Sequence, residues 1–175
     1  MWIFLGSDCM FFGSLIGTYL SYKGKSLAGP MPREVFDIPL TSYSAALLLA
    51  SSLFMVLALA ALQQNRIKAA AGWLFATAAA GAHFVLNQVY EFTTFVLHHG
   101  LTLSTNLFGS SFFVLTGFHG AHVSGGVIWL MILVVLALRR RLDAGDYTKV
   151  EIAGLYWHFV DIVWVAIFTI VYLIP

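Results

Sequence analysis

Six ionisable side chains, one of them His83, stand inside apolar stretches of this sequence. Asp8 lies near the N-terminus, His119 and His122 lie in the fourth apolar stretch, and His158 and Asp161 lie in the last. A charge at the centre of a membrane-spanning helix costs about 2.5–3.5 kcal/mol on insertion scales. These side chains are therefore expected to face protein or water rather than lipid.

Three kinds of chemistry fit the spacing of these residues. His119 and His122 are three residues apart, as are His158 and Asp161, and such pairs on facing helices can hold a metal ion. The carboxylates that usually complete such a site are missing. Asp8 and Asp161 could instead belong to a proton or ion path, as in a membrane transporter. We favour a polar network that joins helices, with about 0.6 kcal/mol per hydrogen bond.

The favoured network carries specific expectations. Asp8, in apolar surroundings, is expected to be neutral or hydrogen-bonded, and His122 is its expected partner. His119 is expected to pair with Asp161 or with His158, because the fourth and fifth stretches are joined by a short loop and should be neighbours. On this interpretation the chain has no catalytic, cofactor-binding or metal-binding residue of its own.

The composition indicates an integral membrane protein. The chain has 175 residues, of which 60% are hydrophobic and only 10% are charged, and its mean hydropathy is +0.87. A soluble domain carries roughly 25% charged residues. The formal net charge of +1 gives no reason to expect a nucleic acid as partner. The single cysteine, Cys9, excludes a disulfide within the chain and a cysteine metal site.

Five segments are long enough to cross a bilayer, which takes about 20 apolar residues. We predict an all-α fold, one membrane domain over residues 1–175, with helices at about 1–22, 40–62, 68–92, 108–138 and 150–174. Lys and Arg favour the cytoplasmic side. The loops on the side of the N-terminus hold Arg66, Lys68, Arg139, Arg140, Arg141 and Lys149, and the opposite loops hold Lys23, Lys25 and Arg33. The N-terminus is therefore expected in the cytoplasm and the C-terminus outside.

Small residues recur at steps of four on two of the predicted helices. Gly13 and Gly17 form one such pair, and Gly117, Ala121 and Gly125 form a longer stripe. In lipid such stripes allow two helix backbones to approach closely. We interpret both stripes as seams for helix packing within the chain. Docking to another subunit is the alternative.

Aromatic and acidic residues mark two further places where contacts are expected. Trp157 and Trp164 lie inside the last span rather than at its ends, where tryptophan usually collects. We expect them to pack at a protein interface or to hold lipid chains. Tyr90 and Glu91 close the predicted third helix at the outer surface, either as a solvated helix end or as a contact site.

Several stretches together resemble subunit III of the haem-copper oxidases, also called cytochrome c oxidase subunit III. The two longest are GSSFFVLTGFHGAH at 109–122 and YWHFVDIVW at 156–164. Residues 2–13, WIFLGSDCMFFG, resemble the helix of that family that carries a carboxylate inside the membrane, and QVYE at 88–91 also fits. The matches cover almost the whole chain in the family order. The five helices correspond to the short bacterial type.

The resemblance implies an accessory role in oxygen reduction. Members of this family carry no cofactor. The haem a, haem a3 and CuB of the complex belong to subunit I, and CuA belongs to subunit II. Subunit III packs on subunit I, stabilises it during turnover, supports proton uptake and binds phospholipid. The expected location is a bacterial plasma membrane rather than a mitochondrial inner membrane, within a complex that can join a larger respiratory supercomplex.

Two features leave alternatives open. The carboxylate inside the membrane is usually glutamate in the family and here is Asp8, and short forms with Ser-Asp-Cys also resemble subunit III of quinol oxidases. Some accessory proteins of nitric-oxide reductase share the fold. The electron donor is therefore not decided by these residues.

Overall fold

The computed structural model describes residues 1–23, 38–102, 106–142 and 144–174, with the side chains of His99 and Ala144 left aside. The predicted polar loop between the first two helices, which includes Lys25 and Arg33, lies outside these residues. The orientation of the termini, which depends in part on that loop, stays a prediction.

Among these residues, five helices are long and apolar enough to cross a membrane. They are α1 (Trp2–Tyr22), α2 (Ile38–Gln63), α3 (Ile67–His99), α4 (Leu107–Leu138) and α5 (Tyr147–Ile167), and α5 continues into a π-helical segment, Phe168–Leu173. A short 3-10 turn, Ala144–Asp146, precedes α5. No β-strand occurs among the described residues. The predicted all-α fold with five spans is confirmed.

Local signals in the sequence explain where several helices begin and end. Asn106 starts α4 because its side-chain oxygen accepts a hydrogen bond from the backbone N–H of Gly109 at 2.7 Å. At the end of α3, Gly100 adopts a left-handed conformation with φ of 62°, and the next amide, of Leu101, donates to the carbonyl of Phe95 at 3.0 Å. A glycine just beyond the last turn is a common helix stop.

The third helix runs beyond its predicted end at residue 92. Thr93 and Thr94, which follow that predicted end, remain helical, and their hydroxyls donate to the carbonyls of Val89 and Tyr90, one turn earlier, at 2.8 and 3.0 Å. Threonine can satisfy its hydroxyl in this way without leaving the helix. As a result Glu91 lies within α3 and not at its end.

The helices form one bundle in which α1 lies at the edge. α3 packs along both α2 and α4, α5 packs against α2 and α4, and α1 contacts α4 and part of α5. The buried residues of α1 form a single stripe, which is Leu5, Asp8, Phe12 and Tyr19. α1 therefore buries one face, whereas α2, α3, α4 and α5 each pack against at least two neighbours.

The outer surface is apolar over much of its area. Large apolar side chains point outward on every helix, including Ile3, Met10, Leu53, Leu86, Ile128 and Ile162. A soluble monomer rarely exposes apolar patches of such extent. The arrangement fits a bundle whose surface faces lipid and other membrane subunits.

Candidate functional site

The first polar cluster joins α1 to α4 through Asp8 and His122. Nε2 of His122 lies 3.6 Å from Oδ2 of Asp8, close enough for electrostatic attraction but beyond hydrogen-bond distance. Nδ1 of His122 lies 2.7 Å from the carbonyl oxygen of Phe118. Because a carbonyl can only accept, Nδ1 carries a hydrogen and the other nitrogen is the one turned to Asp8. The predicted neighbours Asp8 and His122 do face each other, but Oδ2 of Asp8 has no hydrogen-bond partner among the described residues.

Aromatic rings surround this pair. The ring of Phe12 meets the imidazole of His122 edge-on at 5.1 Å between centroids. The hydroxyl of Tyr156 donates to the carbonyl oxygen of His122 at 2.9 Å, which ties α5 to α4 at the same level. The pair thus lies in a largely apolar setting at the edge of the bundle, with the side chain of Asp8 still 13% exposed.

His119 does not join a carboxylate. Its side chain is buried and stacks on Trp164, with 4.9 Å between ring centroids and 23° between planes. Phe84 meets it edge-on at 5.7 Å. Its Nε2 has no hydrogen-bond partner among the described residues. The expected pairing of His119 with Asp161 or His158 is therefore wrong, because His119 turns toward an aromatic cluster while His122 turns toward α1.

The second polar cluster joins α5 to α2 through a serine. The hydroxyl of Ser52 donates to Oδ2 of Asp161 at 2.6 Å. Nδ1 of His158 lies 3.1 Å from the same hydroxyl oxygen. Asp161 is buried and His158 is partly exposed. Ser52 was not among the predicted residues. Its hydroxyl contacts both Asp161 and His158 and so links α2 to α5.

Trp157 and Trp164 are buried inside this chain and not at its surface. Trp157 occupies a slot between α3 and α4 where Gly81 and Gly126 leave room, since a Cβ on Gly126 would lie 2.9 Å from its ring. Its Nε1 donates to the hydroxyl of Ser51 at 2.9 Å. Each tryptophan exposes only 2% of its surface. The expectation that they contact lipid or another subunit is wrong, because both turn toward the helices of this chain.

Glu91 anchors a third cluster near the end of the bundle where α2 begins. Its side chain is buried and accepts hydrogen bonds from the hydroxyls of Thr41 at 2.6 Å and Tyr172 at 3.3 Å. The alternative of a solvated helix end is wrong for Glu91. Its neighbour Tyr90 is 64% exposed, so a contact of Tyr90 with lipid or a subunit stays a prediction.

Gln88 supports the crossing of α3 and α4 one turn from Glu91. Its side-chain amide donates to the carbonyl of Thr116 at 2.7 Å. Gly120 makes room for it, because the atoms of the Gln88 amide group occupy the place that a Cβ on Gly120 would need. The sequence analysis thus missed several hydroxyl residues of α2 and the side-chain amides of α3. The hydroxyl residues could have been found because they stand in a largely apolar segment; they are Thr41, Ser44, Ser51 and Ser52.

The small-residue stripes mostly face away from the rest of the chain, except that a Cβ on Gly125 would lie 3.9 Å from the hydroxyl oxygen of Tyr156. Gly13 is exposed, as is Gly17, and a Cβ on either or on Gly117 would meet no atom of another described side chain or neighbouring helix within 4 Å. Ala121 and Gly125 are exposed as well. The prediction that these stripes are packing seams within the chain is therefore wrong. On α1, the face that packs inward is the one that carries Leu5 and Tyr19. Docking to another subunit stays a prediction.

Among the described residues, no three His, Cys, Asp or Glu side chains come close enough together to hold a metal ion. Of the two pairs that suggested a metal site, His119 and His122 turn to different neighbours, whereas His158 and Asp161 share the hydroxyl of Ser52. His122 faces Asp8 and His158 faces Ser52, while His119 stacks on Trp164. The arrangement links helices and can hold protons, since each of two clusters contains one carboxyl group and one imidazole.

Two grooves on the surface combine apolar walls with arginine. One, of about 400 Å³, runs along α4 past Val127 and Met131 to Arg139 and Arg141. The other, of about 820 Å³, lies between the α2–α3 turn and the end of α4, and is lined in part by Arg66, Lys68 and Arg140. An amphiphile with a negatively charged headgroup fits such walls chemically.

Comparison with known proteins gives consistent results over the whole chain. Residues 1–174 match the family model described as cytochrome c oxidase subunit III. The chain is 40% identical over 172 residues to cytochrome c oxidase subunit 3 of Bacillus sp. (strain PS3), covering 98% of this chain and 83% of that protein. It is 38% identical over 172 residues to quinol oxidase subunit 3 of Bacillus subtilis (strain 168), covering 98% and 84%.

A third relative comes from another bacterium and is slightly less similar to this chain. The chain is 36% identical over 172 residues to cytochrome bo(3) ubiquinol oxidase subunit 3 of Pseudomonas aeruginosa, covering 98% of this chain and 82% of that protein. The similarity therefore extends to relatives named for two different electron donors.

Proposed function

Because the chain belongs to the cytochrome c oxidase subunit III family, we propose that it serves a respiratory cytochrome c oxidase of the aa3 type. At the coarser level the chain is subunit III of a haem-copper oxidase. The observation that carries the proposal is the family match over residues 1–174. The complex would reduce oxygen to water and move protons across the membrane.

Within that complex we assign this chain an accessory, non-catalytic role. Its partners would be subunit I, with haem a, haem a3 and CuB, and subunit II, with CuA. The polar side chains support this role, because they are engaged with other side chains of the bundle. Asp8 faces His122, Asp161 bonds Ser52 and Glu91 bonds Thr41. Such a bundle can stabilise subunit I during turnover and support proton uptake without a cofactor of its own.

The membrane environment forms part of the proposal. The chain would lie in a bacterial plasma membrane with its N-terminus in the cytoplasm, and it would hold phospholipid. The two grooves with arginine support lipid binding, because their apolar walls suit acyl chains and their cations suit phosphate. Membership of a larger respiratory supercomplex belongs to the same proposal.

A quinol oxidase is the second candidate. It is supported by relatives of that name at 38% identity, close to the 40% of the cytochrome c oxidase relative. The two candidates differ in the electron donor and in the copper of subunit II, so they differ in what the purified complex oxidises.

The test is to purify the complex through an affinity tag on this chain. The expected result is a co-purifying subunit I with haem a absorbance, oxygen consumption with reduced cytochrome c, and copper in the complex. Consumption with a quinol but not with cytochrome c would favour the second candidate. A chain that purifies without any haem-containing subunit would contradict both.

A second experiment tests the accessory role. Strains that lack this chain should still assemble subunits I and II with haem, and the complex should still reduce oxygen but lose activity over repeated turnovers. Stoichiometric zinc or iron on the isolated chain, or a complete absence of haem in subunit I, would contradict the proposed role.

A further inference from the structure

Asp161, Ser52 and His158 form an unbroken chain of hydrogen-bonding atoms. Oδ2 of Asp161 lies 2.6 Å from the hydroxyl oxygen of Ser52, and Nδ1 of His158 lies 3.1 Å from the same oxygen. Both distances lie within the range of true hydrogen bonds. The hydroxyl of Ser52 thus connects the carboxyl group of Asp161 to the imidazole of His158 near the middle of the Tyr147–Leu173 span.

We propose that Asp161, Ser52 and His158 act as a proton relay, in which one proton passes between the buried carboxyl group and the partly exposed imidazole through the serine hydroxyl. The ligand of this site is the proton itself. The relay would place a proton store inside the bundle whose outlet is the half-buried imidazole of His158. Its existence does not depend on which oxidase the chain serves.

The same two contacts can be made in two directions. In one arrangement Nδ1–H of His158 donates to Ser52, and the hydroxyl of Ser52 donates to the Asp161 carboxylate. In the other, the carboxylic acid of Asp161 donates to Ser52, and Ser52 donates to Nδ1 of His158. A hydroxyl can donate one hydrogen and accept others, so neither arrangement requires a heavy atom to move.

The transfer between the two arrangements is balanced. When the proton leaves Nδ1 of His158, it binds the oxygen of Ser52, and the original hydrogen of Ser52 moves to Oδ2 of Asp161. One N–H bond breaks, one O–H bond forms on Asp161, and the serine hydroxyl is restored. An imidazolium and a carboxylate become a neutral imidazole and a neutral acid, so the net charge of the pair does not change.

Burial favours a relay over a fixed ion pair. Oδ1 of Asp161 is buried and has no hydrogen-bond partner among the described residues, and a buried charge with unsatisfied lone pairs is costly. The attraction between the two charges opposes this cost. The two arrangements therefore compete, and His158, as the partly exposed member, is the one from which a proton can reach the surroundings.

The chain offers a matched control at the next residue. Ser51 lies beside Ser52 on α2, but its hydroxyl donates to the carbonyl of Leu48 at 2.5 Å and accepts from Nε1 of Trp157 at 2.9 Å. Ser51 thus takes part in hydrogen bonds of the same kind and number without joining two titratable groups. A change at Ser51 alters the packing of α2 and α5 but leaves the relay intact.

The test measures how fast the Asp161 proton exchanges with deuterium in the purified complex. Infrared difference spectra between the wild type and Asp161→Asn identify the carboxylic acid band of Asp161. After transfer to D2O the shift of this band gives the exchange rate. Ser52→Ala should slow the exchange by about tenfold or more, because the hydroxyl that connects the acid to the base is then missing.

Three further variants separate a relay from a structural contact. Ser52→Thr keeps the hydroxyl and should restore the exchange rate, whereas Ser51→Ala should leave it unchanged. His158→Gln removes the outlet and should slow exchange while Ser52 stays in place, which gives a second route to the answer if Ser52→Ala fails to assemble. The haem absorbance of the complex verifies assembly in each case.

Several results would overturn the relay. One is the absence of any carboxylic acid band assignable to Asp161. Another is a wild-type band that does not exchange with D2O. A third is an exchange rate that is the same in the wild type and in Ser52→Ala, or that falls equally in Ser51→Ala. None of these results would bear on membership in an oxidase complex, which the co-purification experiment tests separately.

Discussion

The edge and the centre of the bundle each hold one aspartate and one histidine, but they hold them differently. At the edge, Asp8 of α1 faces His122 of α4 across 3.6 Å with no bridging atom. At the centre, Asp161 and His158 of α5 share the hydroxyl of Ser52 on α2. The central cluster is built from neighbours that the chain itself supplies, whereas the edge pair lies on a helix that buries only one face.

The difference follows from how each helix is covered. α5 is packed by α2 and α4, so its polar groups are fixed by side chains of this chain. α1 leaves Gly13, Gly17 and several large apolar residues facing outward. We therefore expect the geometry of the Asp8–His122 pair to depend on what covers α1 in the assembled complex, and the geometry of the central cluster to be independent of it.

The largest expected effect comes from filling the slot of Trp157. In Gly81→Val a branched side chain would collide with the Trp157 ring, since even a Cβ at residue 81 would lie 2.9 Å from Cζ2. Overpacking of this kind costs typically about 1–3 kcal/mol, occasionally more. We expect a clear drop in the unfolding temperature of the complex and in its yield.

The matched control for this change is at the edge. Gly13→Val places the same side chain where a Cβ would meet no described heavy atom within 4 Å beyond its chain neighbours and the backbone of its own helix. The isolated chain should tolerate it in detergent, and a defect that appears only in the complex would locate a docking surface on α1. Equal loss of stability in the two isolated variants would contradict the contrast between centre and edge.

The next effect in size separates the two aspartates. Asp161→Ala removes the acceptor of a 2.6 Å hydrogen bond in the core, and leaving a buried partner unsatisfied costs about 1–3 kcal/mol. Asp8→Ala removes only a contact at 3.6 Å and should destabilise the isolated chain less. The measurement is unfolding by denaturant in matched detergent micelles.

In the complex, Asp8→Ala should affect assembly or sustained activity more than it affects the stability of the isolated chain. Oxygen reduction should remain measurable, while assembly or activity over many turnovers should decline. A larger loss of chain stability for Asp8→Ala than for Asp161→Ala would reverse the proposed roles of edge and centre.

A smaller effect is expected where Glu91 meets α2 and the last turns of α5. In Glu91→Gln the oxygen that accepts from Thr41 or the one that accepts from Tyr172 becomes an amide nitrogen, which loses one hydrogen bond worth about 1 kcal/mol. Tyr90→Phe, next to it and exposed, is the control and should leave stability unchanged. Thermal unfolding of both variants in the same lipid nanodiscs provides the comparison.

The smallest effect is the expected difference in stability between variants of the two serines of α2. Ser52→Ala and Ser51→Ala each remove a hydroxyl that makes two hydrogen bonds and leave a buried partner unsatisfied, which costs about 1–3 kcal/mol in either variant. Their unfolding free energies should therefore be nearly equal, although only Ser52→Ala should slow proton exchange at Asp161. A large and unequal loss of stability would show that Ser52 is mainly a structural tie.

Part of the site was predictable because aspartate and histidine are rare inside apolar segments. Asp8 and His122 stand out in apolar runs, so their residue types alone suggested the pairing that the helices form. The role of His119 was not predictable, since its choice between a carboxylate and the face of Trp164 depends on the rotation of α4. Ser52 could not be singled out either, because serine is unremarkable in a membrane helix until its neighbours are known.

The sequence by itself determined the number and approximate bounds of the helices and the family to which the chain belongs. Hydropathy over about 20 residues is a local property, so five spans can be read without tertiary contacts. Only the tertiary structure decided which face of each helix turns inward. The lipid-facing and core-facing sides of these helices are about equally apolar, so the sequence pattern does not distinguish them.

The rotation of each helix in the bundle differs from several expectations at once. It buried Trp157 and Trp164, turned Gly13 and Gly17 outward and placed Ser52 between Asp161 and His158. The burial of the tryptophans and the position of Ser52 depend on close packing with particular neighbours on other helices, such as Gly81 and Gly126 around the Trp157 ring. Such contacts join residues far apart in the chain, and they exist only once the helices have packed.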